Sequence, residues 1–217
     1  MPDQKALLLL PMAGLHFTDE VLQEIEKRRI DIKKVTLHVG AGTFKPVSSK
    51  TIRTHEMHTE KILVSLNTIR KIRDKLNFQI TVVGTTTMRT IESLYWHGVK
   101  LIVDKSNSDS VDINQWDPYR QKYLQPISAK EALEKIINTM EEKGQDVISG
   151  QTQLMIVPGY RFHIPDVLVT NFHMPKSTLL LLVSAFIGEG WKKAYKYALD
   201  NDFRFLSYGD SCLFFKH

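Results

Sequence analysis

Histidine is the residue whose placement first suggests chemistry. Of eight histidines, His217 is terminal and His97 sits where a helix is expected to end. The other six, at 16, 38, 55, 58, 163 and 173, fall in stretches that read as loops or as the ends of elements. Imidazoles titrate near neutral pH, so rings converging from several loops suit proton transfer. One loop histidine alone needs no such role. His55-Glu-Met-His58 raises the question of a metal. Its spacing is not the H-E-x-x-H that sets two rings on one helical face. The single cysteine, Cys212, lies far away in the sequence. No metal is expected, and a metal-dependent hydrolase remains the reading favoured only by histidine count. A serine hydrolase lacks its G-x-S-x-G elbow.

Three further stretches place polar groups where a strand gives way to a turn. Val82-Val-Gly-Thr-Thr-Thr-Met-Arg89 reads as strand, glycine, hydroxyls and helix start. Unpaired N–H groups at such a start can bind a carboxylate, a phosphate or a ribose oxygen. Gly84, Thr85 and Thr86 are the candidates, and Arg89 follows one turn later. Neither a P-loop nor a dinucleotide fingerprint is present, and threonine capping explains the local pattern equally well. "TNFHMPKST", residues 170 to 178, repeats the theme with Asn171, His173, Lys176 and Ser177. "PGYRFHIPD", residues 158 to 166, offers Tyr160 and Arg161, a pair able to stack on a base and reach a phosphate. A proline-bounded turn with an amphipathic aromatic accounts for it as readily. "HVGAGTF", residues 38 to 44, ends a strand with Gly40 and Gly42 two residues apart. Glycine there permits a positive φ or a close approach.

The elements that must carry these turns follow from periodicity. The chain has 217 residues, 42% of them hydrophobic, enough for one sizeable core. Thr18-Asp-Glu opens a helix to about Arg29, followed by a strand from Ile32 into "HVGAGTF". Residues 45 to 60 read as irregular. A helix over 65 to 76, a strand over 79 to 83 and a helix over 85 to 95 come next. Residues 104 to 125 read as a polar loop, and Ser128-Ala-Lys-Glu131 is a capping box opening a helix to Gly144. Strands are expected over 152 to 157 and 167 to 170, then helices over 178 to 186 and 191 to 200. Recurring strand, turn and helix predict a layered α/β/α sandwich with a largely parallel sheet. Ligands of such sheets gather at the carboxyl ends of the strands. The formal net charge of +5 is compatible with a nucleic-acid partner without requiring one. No apolar run is long enough to span a membrane, no secretory signal is apparent, and a lone cysteine fits a reducing compartment, so a cytoplasmic protein is expected.

Seven stretches in this order resemble the S-adenosylmethionine:tRNA ribosyltransferase-isomerase family. They are "AGLHFT" (13 to 18), "TLHVGAGTFKPV" (36 to 47), "HEMHTE" (55 to 60), "VGTTTMRTIES" (83 to 93), "PGYRF" (158 to 162), "TNFHMPKSTLLLLVSAF" (170 to 186) and "RFLSYGDSCL" (204 to 213). The likeness covers nearly the whole chain except about 104 to 150, where this sequence is longer than many members. The resemblance implies the late step of queuosine biosynthesis. In that step the ribosyl part of S-adenosylmethionine is transferred and isomerised onto 7-aminomethyl-7-deazaguanine at the tRNA wobble position. Epoxyqueuosine forms, and adenine and methionine leave. S-adenosylmethionine is then the co-substrate, and tRNA, through its anticodon loop, the partner. No metal is implied. Carried onto this sequence, the reaction assigns proton transfer to His38, His55, His58 and His173, with Glu60 to orient an imidazole or meet the cationic substrate. His38, Gly40, Gly42, Thr43, Gly84, Thr85 and Thr86 fall to S-adenosylmethionine. Arg89, Tyr160, Arg161, Asn171, Lys176 and Ser177 fall to the tRNA substrate. The resemblance also implies that residues 1 to 217 form a single α/β domain, the C-terminal part of the family's large domain, with 104 to 150 as an inserted loop and helix. The family's small β-barrel is expected to be absent, and turnover is expected when an N-terminal half supplies it. The alternative is a nucleoside- or tRNA-binding remnant without catalysis.

Overall fold

The structure, a computed structural model, describes residues 6–11, 17–38, 51–206 and 208–217. Eight strands form one sheet in the order β5-β6-β3-β2-β1-β4-β7-β8. They are β1 (Ala6–Pro11), β2 (Asp31–His38), β3 (Glu60–Ser65), β4 (Gln79–Val83), β5 (Ser110–Ile113), β6 (Val147–Thr152), β7 (Val167–Asn171) and β8 (Ser211–Phe215). β1, β2, β4 and β7 pair in parallel, as do β5 and β6. β3 runs antiparallel to both β2 and β6, and β8 antiparallel to β7. Six strands therefore end at one edge of the sheet, and β3 and β8 begin there. The helices are α1 (Asp19–Lys27), α2 (Leu66–Asp74), α3 (Thr85–Val103), α4 (Ala129–Glu142), α5 (Thr178–Ile187) and α6 (Gly190–Asp200).

Each helix start follows local chemistry. The side chains of Thr18, Ser65, Ser128 and Ser177 accept from the N–H groups of Val21, Thr68, Glu131 and Leu180. α3 and α6 differ: neither N-cap, Gly84 at φ +87° or Glu189, makes a side-chain capping hydrogen bond. α1 packs Leu22 and Ile25 against Leu8 and Val83 on one face of the sheet. The other face carries the main core, where Ile62 and Val64 of β3 meet Met88, Ile91 and Leu94 of α3 and Leu133, Ile136 and Met140 of α4. The layered α/β fold with a mostly parallel sheet is thus present.

Several expected boundaries are corrected. Residues 45 to 60 were expected to be irregular, yet Glu60 already opens β3. β3 passes directly into α2, because Ser65 both ends the strand and caps the helix. The expected strand at 152 to 157 lies instead at Val147–Thr152. Leu154, Met155 and Ile156 are buried without being in a strand. The stretch at 104 to 125 contains β5, whose parallel partner β6 is reached through α4. α3 continues to Val103 rather than ending near 95, so His97 lies inside the helix and not at its end. Gly98 explains the difference: a Cβ there would stand 2.2 Å from the Ala132 carbonyl oxygen of α4. That glycine serves close helix packing, not termination. Among the described residues, no helix is long and apolar enough to cross a membrane.

Candidate functional site

The edge where six strands end holds most of the residues that the sequence singled out. Glu60 is the first residue of β3 and pairs in register with Thr152, the last of β6. Alternation along β3 turns Glu60, Ile62 and Val64 toward α3. The Glu60 side chain is fully buried, an expensive place for a carboxylate unless charges and hydrogen bonds compensate it. Two groups do so. His58 Nε2 lies 3.2 Å from Glu60 Oε1. Arg89 Nε lies 3.6 Å from Oε2, an ion-pair distance rather than a hydrogen bond. Arg89 is itself only 2% exposed, and its Nη1 has no hydrogen-bond partner among the described residues. A buried guanidinium nitrogen without a partner is costly in a finished core. It fits a site that awaits an acceptor.

The segment before β3 is held down by two glutamines. Gln115, just after β5, takes Met57 N–H through Oε1 at 3.0 Å and donates to the His55 carbonyl at 2.7 Å. Gln153, just after β6, donates to Thr59 Oγ1 at 3.1 Å and to the Met57 carbonyl at 3.3 Å. This bracing fixes His58 over Glu60. Sequence reasoning missed both glutamines, since their role appears only once β5 and β6 flank the segment.

α3 begins at the same edge, one strand end away from β7. Gly84 N–H donates to the Val169 carbonyl at 2.8 Å, which ties the turn to β7. The N–H groups of the first turn, at Thr85 and Thr86, belong to the set that an α-helix leaves unpaired internally. Thr87 Oγ1 is buried and has no hydrogen-bond partner among the described residues. Beyond β7, His173 Nε2 meets Thr170 Oγ1 at 3.1 Å, and its backbone N–H donates to Tyr195 Oη at 3.0 Å. Burial pushes the His173 pKa down to about 4, so the ring is neutral at physiological pH. Ser177 spends its hydroxyl on the start of α5, while Lys176 is exposed at φ +59°. Asn171 ends β7 and donates to the Gly209 carbonyl at 3.1 Å. His38 ends β2 at this edge as well. Its side chain, together with Gly40, Gly42 and Thr43, lies outside the described residues, as does His16. Among the described residues no three histidine, cysteine or acidic side chains come together as a metal would need.

Tyr160 and Arg161 sit elsewhere. The 158–163 turn packs against the middle of α3, where a second polar centre is built around Glu92, also fully buried. The carboxylate of Glu92 accepts from Tyr160 Oη at 2.6 Å, from Ile164 N–H at 3.0 Å and from His163 N–H at 3.0 Å. The His163 ring meets it through Nδ1 at 3.1 Å and stacks on Tyr95 with centroids 3.7 Å apart. Trp96 Nε1 donates to Tyr160 Oη at 2.7 Å. Burial, with the Glu92 charge next, drives the Tyr160 pKa far above its usual value, so the phenol stays protonated. Sequence reasoning did not select Glu92. The signal was there: Arg89, Glu92, Ser93 and Trp96 recur at helical spacing on the buried side of α3.

The comparisons with known proteins agree with one another. A family model described as queuosine biosynthesis protein matches residues 4–214. The chain is 35% identical over 213 residues to a Halothermothrix orenii protein named S-adenosylmethionine:tRNA ribosyltransferase-isomerase, covering 97% of this chain and 50% of that one. A Francisella tularensis protein of the same name is 35% identical over 208 residues, covering 94% of this chain and 48% of its own. The fold is similar to the crystal structure of an S-adenosylmethionine tRNA ribosyltransferase from Thermotoga maritima, with a TM-score of 0.57 at 31% identity. That match covers 93% of this chain and 50% of the other. The chain therefore spans about half the length of the curated relatives it matches.

Proposed function

The chain belongs to the queuosine biosynthesis protein family, and from that premise we propose that it carries the strand-end half of an S-adenosylmethionine:tRNA ribosyltransferase-isomerase site. The substrate on this reading is tRNA bearing 7-aminomethyl-7-deazaguanine at the wobble position, and the product is epoxyqueuosine in tRNA. Such work belongs in the cytoplasm. The observation that carries the reading is the trio of part-buried His58 with buried Glu60 and Arg89, beside the uncapped start of α3.

Each member of the trio suits one demand of the reaction. The carbon beside a sulfonium is acidic, and a base must take its proton. His58, oriented by Glu60, is that base, because a buried carboxylate fixes the ring and stabilises the imidazolium that forms. Glu60 also supplies negative charge for a cationic sulfonium. Arg89 Nη1 and the first-turn N–H groups of α3 offer donors to the carboxylate of the methionyl part. His173, held neutral by burial, serves as a hydrogen-bonding group rather than a cation. Gly84, Thr85 and Thr86 contribute main-chain donors and hydroxyls, and His38, Gly40, Gly42 and Thr43 complete the S-adenosylmethionine contacts. His55, Asn171, Lys176 and Ser177 flank the tRNA side.

The test is release of adenine from S-adenosylmethionine with tRNA carrying the aminomethyl-deazaguanine. It is run with the chain alone and with the chain co-expressed with the region that family members carry ahead of "AGLHFT". The reading expects turnover in the second arm and its loss on Glu60→Gln. Binding of S-adenosylmethionine without adenine release in either arm supports the silent remnant instead. Absence of both binding and release overturns the assignment.

A further inference from the structure

Between the 158–163 turn, the middle of α3 and residues 118–129 lies a cavity of about 700 Å³. It is separate from the strand-end trio: none of His58, Glu60, Arg89 or His173 lines it. Seven helical steps of α3, about 10 Å, divide Arg89 from Trp96 in its wall. Much of the remaining wall comes from 118–129. Its rings include Tyr95, Tyr119, Tyr123 and His163, and its cations are Arg161 and Lys216. No aspartate or glutamate lines it.

The charges are unevenly answered. Lys216 is already paired with Asp166 at 3.1 Å. Arg161 is exposed and has no carboxylate partner among the described residues. Glu92 lies behind His163 and Tyr160; its charge and that of Glu131 reach Tyr95 in the wall, where Arg161 opposes them. The polar ends of Trp96 and Tyr95 are also spent, on Tyr160 Oη and the Ile127 carbonyl. Tyr95 and Tyr123 are buried, so what remains for a ligand is ring surface of Tyr119 and His163 beside Arg161, whose guanidinium is unpaired among the described residues. The volume lies within the usual range for a small-molecule site.

We propose that this cavity is a nucleotide-binding site, taking a planar base against the aromatic wall and its phosphate at Arg161. Stacking rings with a guanidinium at the rim are how single-stranded nucleotides are held without hydrogen-bond readout of the base. Resting on the tRNA reading above, the occupant is an unpaired nucleotide of the RNA, seated while a neighbouring nucleotide reaches the strand ends.

The experiment is calorimetric titration of the 217-residue chain with adenosine, with adenosine 5′-monophosphate and with a short single-stranded RNA, without S-adenosylmethionine. The expected order is RNA tightest, then the monophosphate, then the nucleoside. Arg161→Glu should weaken the phosphorylated ligands at least about tenfold and leave adenosine little changed. Lys196→Glu, on exposed α6, controls for diffuse charge and should change affinity less than about twofold. Equal weakening by both variants, or unaltered RNA affinity in Arg161→Glu, overturns the site. A monophosphate that binds as tightly as RNA overturns the RNA occupant. The outcome is independent of adenine release: failure here leaves the strand-end reading standing, and binding here without turnover fails only that reading.

Discussion

Acidification is a perturbation whose effect can be worked out from two histidine rings, His97 buried and His173 part-buried. His97, inside α3, and His173, after β7, are each pushed down to about 4, by burial in both cases and additionally by Lys100 at His97. Their unfolded value is about 6.5, so the folded state refuses a proton that the unfolded chain accepts. A depressed histidine contributes stability that is complete above the unfolded pKa and disappears as pH falls toward the folded one. The window is therefore about pH 6.5 down to 4. Between about pH 7.5 and 5 the two-state linkage gives about 2 kcal/mol for each ring, hence about 4 kcal/mol together. That is a large part of the roughly 5–15 kcal/mol typical of a domain. Urea unfolding at several pH values measures it. Asp104, held low by Tyr123 and then Lys122, gives up its share only at lower pH and does not blur the window. His97→Gln and His173→Gln should each remove about half of the pH slope. A stability flat to within about 1 kcal/mol across the window, or an unchanged slope in both variants, refutes the reasoning.

Three further outcomes follow from contacts described above. Gly98→Ala drives a Cβ into the Ala132 carbonyl and should cost about 1–3 kcal/mol, read as a shift of the urea midpoint; an unshifted midpoint means that α3 and α4 do not touch there. Glu60→Gln should lower adenine release about a hundredfold or more, and parent-like rates would show that the carboxylate neither orients His58 nor meets the substrate. Glu92→Ala strands the Tyr160 hydroxyl and the His163 and Ile164 N–H groups, a loss of roughly 3 kcal/mol or more. Hydrogen exchange at Ile164 should rise with it, and unchanged protection would mean that the turn is held by something else.

What the sequence revealed and what it hid have separate physical causes. Two helix starts were readable because their caps are local signals: Thr18 and Ser128 cap as their neighbours suggest, while Ser65 and Ser177 prove to be caps as well. β3 was hidden because no turn residue separates it from α2. β5 was hidden by its length of four residues in a polar stretch. At 152 to 157 apolar side chains are buried by loop packing, which leaves the same trace as a strand. Glu60 was legible only through a motif, and its partner Arg89 through another. That a strand start and a helix turn meet is a fact of topology. Glu92 was the costlier miss, since an acid inside a helix ordinarily reads as solvated surface. The side chains at 39–50 lie outside the described residues, so Gly40, Gly42 and Thr43 stand as the motif left them.

The reversed direction of β3 has a consequence for how this site tolerates change. Six register pairs lock β3 to β6, from Glu60 with Thr152 to Ser65 with Val147, while three more lock it to β2. A slip of one residue would turn Glu60 to the α1 side of the sheet, away from Arg89, and expose Ile62 and Val64 with it. The acid is thus indexed by the sheet and not by the chain that leads to it. Insertions or deletions between residues 39 and 54, ahead of the segment that Gln115 and Gln153 brace, leave the carboxylate where the strand register holds it. The position of the charge is inherited with the strand pairing.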